Sequence, residues 1–179
     1  MAMLQIVLLR GINVGTRNRV PMAQLRELFA SAGFADVRTY LQSGNVVLAS
    51  DAPAEDLART ATALMQRGFG VEVAALVRTA AQLGAVVERD PLGELVSDPR
   101  RYQVSFLDRE LSTTVLERLQ SLTAPGERLV AAGHELYAWH PDGIARSKLW
   151  NELAGNRLGV SATTRNWRTV TSLLAMTQA

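Results

Sequence analysis

Leu4-Gln5-Ile6-Val7-Leu8-Leu9-Arg10-Gly11-Ile12-Asn13-Val14-Gly15 begins as an apolar run and breaks into a loop bracketed by two glycines. The run from Leu4 to Leu9 reads as a buried strand. Its basic continuation, Arg17-Asn18-Arg19-Val20-Pro21, delivers the chain to a helix opened by Pro21. Glycines at a strand-to-helix junction allow positive φ and close backbone approach, and a helix start presents unpaired N–H groups. With Arg10, Arg17 and Arg19 beside it, this loop has the parts of an anion site. It lacks the lysine and hydroxyl of a Walker loop, and Gly11-x3-Gly15 is not the dinucleotide fingerprint.

Outward from the loop, Met22, Leu25, Leu28, Phe29 and Ala32 recur at helical spacing, with Gly33 as a C-terminal cap. Val37, Thr39 and Leu41 alternate as a strand, Gln42-Ser43-Gly44-Asn45 turns the chain, and Val46 to Ala49 return. A helix carrying Leu57, Ala61, Leu64 and Met65 is expected to run to Gly68, and Val71, Val73, Ala75 and Val77 to form a fourth strand. Thr79 and Gln82 make a capping box for a trailing helix. The same order returns in the second half. Strands are expected at Tyr102–Phe106, Leu129–Ala131, Leu136–Trp139 and Val160–Thr163, and helices capped by Ser112, Ser147 and Asn166. Element order repeats; residue identity does not.

The expected fold is therefore α+β: two ferredoxin-like βαββαβ modules in tandem, each with a trailing helix. Residues 1–90 form the first module, 91–100 a linker containing Pro91, Gly93 and Pro99, and 101–179 the second. Each half is expected to form a four-stranded antiparallel sheet in strand order 4-1-3-2 with two helices on one face. The first and third strands are expected side by side and parallel, and the loop after strand one at the opposite sheet end from the hairpin between strands two and three. On that geometry about 20 Å would separate Arg10 from Asn45.

Composition narrows the chemistry. Nineteen Lys+Arg against 17 Asp+Glu leave a net charge of only +2, too small to argue nucleic-acid binding from the total. The distribution says more, because Lys148 is the only lysine and the arginines gather at loop ends. The absence of cysteine excludes disulfides, thiolate metal sites and a cysteine nucleophile. Two histidines, His134 and His140, have no second His or carboxylate at metal-ligand spacing, so no metal site is expected. The N-terminal apolar run is shorter than a signal core, and no stretch reaches the roughly 18 apolar residues of a membrane span. These features predict a cytoplasmic protein without a membrane partner.

Five segments fall in order along the chain: Leu8 to Gly15; Val20-Pro21-Met22; Arg38-Thr39-Tyr40-Leu41-Gln42-Ser43-Gly44-Asn45-Val46; Ser147-Lys148-Leu149; and Thr163 to Val170. Together they resemble the bacterial family called domain of unknown function 1697, with Thr16 standing where the family form has a second glycine. The resemblance implies a two-module α/β-plait fold and carries no assigned activity.

Candidate ligand-binding residues are Arg10, Gly11, Asn13, Gly15, Arg17 and Arg19 in the first loop, and Arg165 and Asn166 in a second basic segment. Arginine suits bidentate recognition of phosphate or carboxylate, and Asn13 adds a side-chain donor. Trp167 reads as a core residue or a platform for a base, and Ser147-Lys148 as a helix start. No carboxylate pair stands out for acid–base work, and neither catalytic residues nor a cofactor can be named. Two functions of different classes remain open. One is a non-catalytic binding protein for an anionic, phosphate-bearing partner: nucleotide, nucleic acid or acidic protein. The other is an enzyme acting on a phosphorylated small molecule or nucleotide.

Overall fold

The structure, a computed structural model, describes residues 2–179. Among these are two four-stranded antiparallel sheets and six α-helices. Two compact units divide the chain, Met1–Ala85 with Ser172–Ala179, and Val86–Thr171.

In the first unit, β1 (Met3–Leu9), β2 (Ala35–Tyr40), β3 (Asn45–Ser50) and β4 (Ala75–Thr79) lie in the order β2-β3-β1-β4. Helices α1 (Met22–Ser31) and α2 (Ala54–Phe69) cross on one face. The order explains the sequence pattern. Central β1 is buried on both faces, so Ile6, Val7, Leu8 and Leu9 are all apolar and fully covered. Edge strand β2 alternates and stays half-exposed. Val7, Leu9, Val46, Leu48 and Val77 meet Leu25 and Phe29 of α1 and Leu57, Ala61 and Met65 of α2 in one core.

The second unit repeats this with β5 (Tyr102–Leu107), β6 (Arg128–Ala132), β7 (Glu135–Trp139) and β8 (Ala162–Asn166) in the order β6-β7-β5-β8. Its core joins Leu107, Leu136 and Ala138 to Leu119 of α4 (Thr113–Ser121) and Leu149 and Leu153 of α5 (Lys148–Ala154). Helix α3 (Ala80–Arg89) follows β4, and helix α6 (Trp167–Gln178) follows β8. The expected caps form: the Thr79 hydroxyl accepts from Gln82 N at 3.1 Å, and Ser112 and Ser147 accept from Val115 N and Trp150 N.

Several expectations are corrected. First and third strands are neighbours, but β1 and β3 run antiparallel, with Leu8 opposite Asn45. Helix α1 carries the chain back to its starting end, so β2 repeats the direction of β1 and the hairpin reverses β3. The loop after β1 and the β2–β3 hairpin therefore lie at the same sheet end, and Leu9 N donates to Gly44 O at 2.9 Å. Helix α2 runs past Gly68 to Phe69. A Cβ on Gly68 would stand 2.8 Å from the Leu28 side chain, so this glycine lets α1 and α2 approach; Gly70, at φ 65°, ends the helix. Strand β4 begins at Ala75 instead of Val71, because its register on β1 stops where Leu9 faces Ala75. Strand β8 starts and ends later than expected and includes Arg165 and Asn166.

Candidate functional site

The loop between β1 and α1 folds on itself as a small hairpin. Asn13 N donates to Asn18 O at 3.0 Å, and Arg17 N to Val14 O at 3.1 Å. Gly11, Asn13, Gly15 and Asn18 all take positive φ, between 47° and 69°. Glycine adopts this region without penalty, and asparagine tolerates it better than most residues because its short side chain bonds locally. Both asparagines do so. Asn13 Nδ2 donates to Val20 O at 2.9 Å and to Gln42 O at 2.6 Å, while its Oδ1 accepts from Val20 N at 2.8 Å. Asn18 Nδ2 donates to Gly11 O at 3.0 Å. Ile12 and Val20 are buried beneath the loop.

Asn13 also fastens this loop to the β2–β3 hairpin, which has its own internal lock. Asn45 is fully buried and donates to Tyr40 O at 3.0 Å and Ser43 Oγ at 2.9 Å. Gly44, at φ 79°, lies against the loop so closely that a Cβ would stand 2.8 Å from Leu9 Cβ and 3.1 Å from Ile12. The two segments form one surface, contrary to the expected separation.

On that surface Arg17 and Arg19 are exposed and Arg10 is half-exposed, its backbone N–H donating to Ala74 O at 2.9 Å. The first acidic residue of the chain is Glu27. Helix α1 has no acid in its first turn and no side-chain cap. Exposed guanidinium groups at Arg17 and Arg19 and a helix start that no side chain caps are features that favour negative charge nearby. Both protons of the Asn13 amide are directed at backbone carbonyls, so this residue shapes the loop. Gly11 and Gly15 supply its left-handed turns.

Arg165 and Asn166 belong to the second unit. Arg165 of β8 faces Val104 of β5 and is only 9% exposed; its Nη1 donates to Thr163 Oγ1 and Thr164 O, both at 2.9 Å. Burial lowers its pKa to about 10. Asn166 Oδ1 accepts from Thr169 N at 2.9 Å, capping α6. Trp167 stacks on Tyr102 with ring centroids 4.8 Å apart, a packing role.

A second cluster escaped the sequence reading. His140, fully buried, meets Glu127 Oε1 through Nδ1 at 2.8 Å, and Ser147 Oγ lies 3.3 Å from the same nitrogen. Glu127 Oε2 accepts from Ala124 N at 2.9 Å. Burial alone would raise the Glu127 pKa, but hydrogen bonds from Ser147, Ala124 and His140, with the His140 charge, outweigh it and hold the carboxyl below its ordinary value. The three residue types are those of a hydrolase triad, yet the wiring differs. In a triad the acid and the serine take opposite ring nitrogens. Here both crowd Nδ1, Nε2 is buried without a partner among the described residues, and Ser147 Oγ already accepts from Trp150 N. Glu127 and Ser147 border a cleft of about 450 Å³ with Asp142 and Arg146. The spacings, 13 residues from Glu127 to His140 and seven from His140 to Ser147, follow no recognised motif. Among the described residues no group of three His, Asp or Glu is placed to hold a metal, and no helix is long and apolar enough to cross a membrane.

No curated protein matches the chain. Among solved structures it is similar to a conserved bacterial protein, SP0830 from Streptococcus pneumoniae, at 22% identity and a TM-score of 0.78, over 99% of both chains. At that identity the likeness speaks for the fold. The family model described as Protein of unknown function (DUF1697) matches residues 3–137. That span contains the β1–α1 loop and the β2–β3 hairpin, while the segments at 147–149 and 163–170 lie beyond it. Matched over most of its length, the chain belongs to the DUF1697 family.

Proposed function

We propose that this is a non-catalytic binding protein that recognises a phosphate-bearing partner at the end of the first sheet where the β1–α1 loop meets the β2–β3 hairpin. One observation carries the reading. Asn13 and Asn18 hold a closed loop on which Arg17 and Arg19 are exposed, with no acidic residue before Glu27. A loop needed only for geometry requires its glycines and asparagines but not its arginines. The open, exposed placement of those arginines favours a binder over an enzyme, which would draw its substrate away from water. We read the two units as tandem ferredoxin-like modules, on the support of their matching strand orders, β2-β3-β1-β4 and β6-β7-β5-β8. On the same reading the protein works in the cytoplasm, where nucleotides and nucleic acids are available.

The test is titration of wild type and the Arg17→Ala/Arg19→Ala double variant with inorganic phosphate, nucleotides and short oligonucleotides at two salt concentrations. Wild type should bind at least one of them, and the double variant should lose at least tenfold in affinity. Any oligonucleotide affinity should fall steeply with salt. Wild type silent toward every anion would end this reading.

A further inference from the structure

The surface that presents the arginines also presents hydrocarbon. Val14 is 64% exposed at the tip of the small hairpin, and Leu41 is 57% exposed at the start of the β2–β3 turn. Leu41 moreover takes φ +55°, a left-handed conformation that a branched-chain residue rarely adopts. Asn13, the neighbour of Val14, donates to the carbonyl of Gln42, the neighbour of Leu41, so one side chain ties together the two segments that carry them. Over residues 1–50 there are five arginines and two acids, a net charge of +3 (5 − 2), all within the first unit.

Resting on the anion-binding reading above, we infer that the partner is a polypeptide: a phosphorylated, acidic segment with an apolar side chain beside its phosphate. A free nucleotide or a nucleic-acid backbone would engage the guanidinium groups and leave Val14 and Leu41 in water. A polypeptide of this chemistry covers both. Its apolar residue lies on Leu41 and Val14, while phosphate and carboxylate groups meet Arg17, Arg19 and Arg10 at the rim. Protein recognition surfaces commonly have this layout, an apolar centre within a charged border. The loop is fixed by Asn13, Asn18 and Gly44 before the partner arrives, which limits the ordering cost of binding.

Fluorescence anisotropy tests this with four labelled probes. One is a synthetic acidic nonapeptide with a leucine between two phosphoserines. The others are the same peptide with serine for leucine, the leucine peptide without phosphate, and a single-stranded oligonucleotide of equal charge. Wild type should bind the leucine phosphopeptide at least tenfold more tightly than the serine version. Leu41→Gly, which suits the left-handed backbone and so keeps the fold, should abolish that preference while leaving oligonucleotide binding unchanged; Val14→Ser should reduce it. Arg17→Ala/Arg19→Ala should weaken all four probes. Equal affinity for the two phosphopeptides, or a preference that survives Leu41→Gly, overturns the polypeptide inference. Equal binding of the unphosphorylated peptide overturns its phosphate requirement. Tighter binding of the oligonucleotide than of the leucine phosphopeptide identifies nucleic acid as the partner and leaves only the anion-binding reading standing. Silence toward all four overturns the polypeptide inference, while the anion-binding reading is decided by the titrations with inorganic phosphate and nucleotides.

Discussion

Gly44 and Glu127 show how much of each unit depends on single positions. At Gly44 a methyl group meets two obstacles at once, the positive φ and the Leu9 and Ile12 side chains within 2.8–3.2 Å of the new carbon. Gly44→Ala should cost about 2–4 kcal/mol, from the left-handed backbone and from overpacking. Urea unfolding followed by circular dichroism measures it, and an unchanged midpoint would show that the hairpin relaxes freely from the loop. Glu127 makes a different prediction. Its folded pKa lies below the ordinary value of 4.5, so its contribution to stability is fully present above that value and is lost as pH falls through the folded pKa. Wild type should therefore exceed Glu127→Gln in stability at pH 6, and the gap should shrink on acidification below about pH 4.5. Denaturant titrations across pH 3–6 would reveal a gap that stays constant, in which case the hydrogen bonds to His140 and Ala124 do not depend on the charge.

At the scale of elements, helix α1 joins core to loop. Its buried face, Met22, Leu25 and Phe29, lies on Val7, Leu9 and Val46, and its first turn receives the loop through the bond from Leu25 N to Pro21 O at 3.0 Å. Leu25 is fully buried, so Leu25→Ala should cost about 2–5 kcal/mol, the range for truncating a core leucine. A urea midpoint within error of wild type would place the buried face elsewhere. The strands also carry a repeat that residue-by-residue reading did not detect. Gln5 of β1 faces Thr79, and Gln103 of β5 faces Asn166. One position along, Arg78 faces Ile6 and Arg165 faces Val104. Both arginines are buried, and each donates through Nη1 to the carbonyl of the preceding residue, at 3.0 and 2.9 Å. Residue identity thus repeats where the registers coincide, a correspondence hidden until the strands are paired.

For the molecule as a whole, binding at the loop should register as stability, since a ligand held only by the folded state raises its free energy of unfolding. A phosphate-bearing ligand at a hundredfold its Kd adds about 2.7 kcal/mol, or roughly 5–10 °C in the melting midpoint of a chain this size. The Arg17→Ala/Arg19→Ala variant should lose that shift, and a calorimetric scan with and without ligand decides it. Much of the architecture was legible in the sequence. The 3.6- and 2-residue periods of α1, α2, β2 and β5 and the caps at Thr79, Ser112 and Ser147 are properties of neighbouring residues, readable because each is decided within a few positions, and the strand order of each sheet follows from the order of those elements. Where neighbours are ambiguous the reading slipped: Gly68 looks like a stop signal until Leu28 is placed against it, and Val71 looks like strand until β1 runs out of partners. The sites lay further out of reach. Asn13 meets Gln42 across 29 residues, and Glu127 meets His140 across 13, in pairings that carry no period and no motif. Those contacts follow from the directions in which strands run and the ends at which they finish. Side chains far apart in the chain meet only once the sheet has assembled and brought its loops to one end, so the sequence by itself determined the elements and their order, and only the tertiary structure decided which loop residues meet.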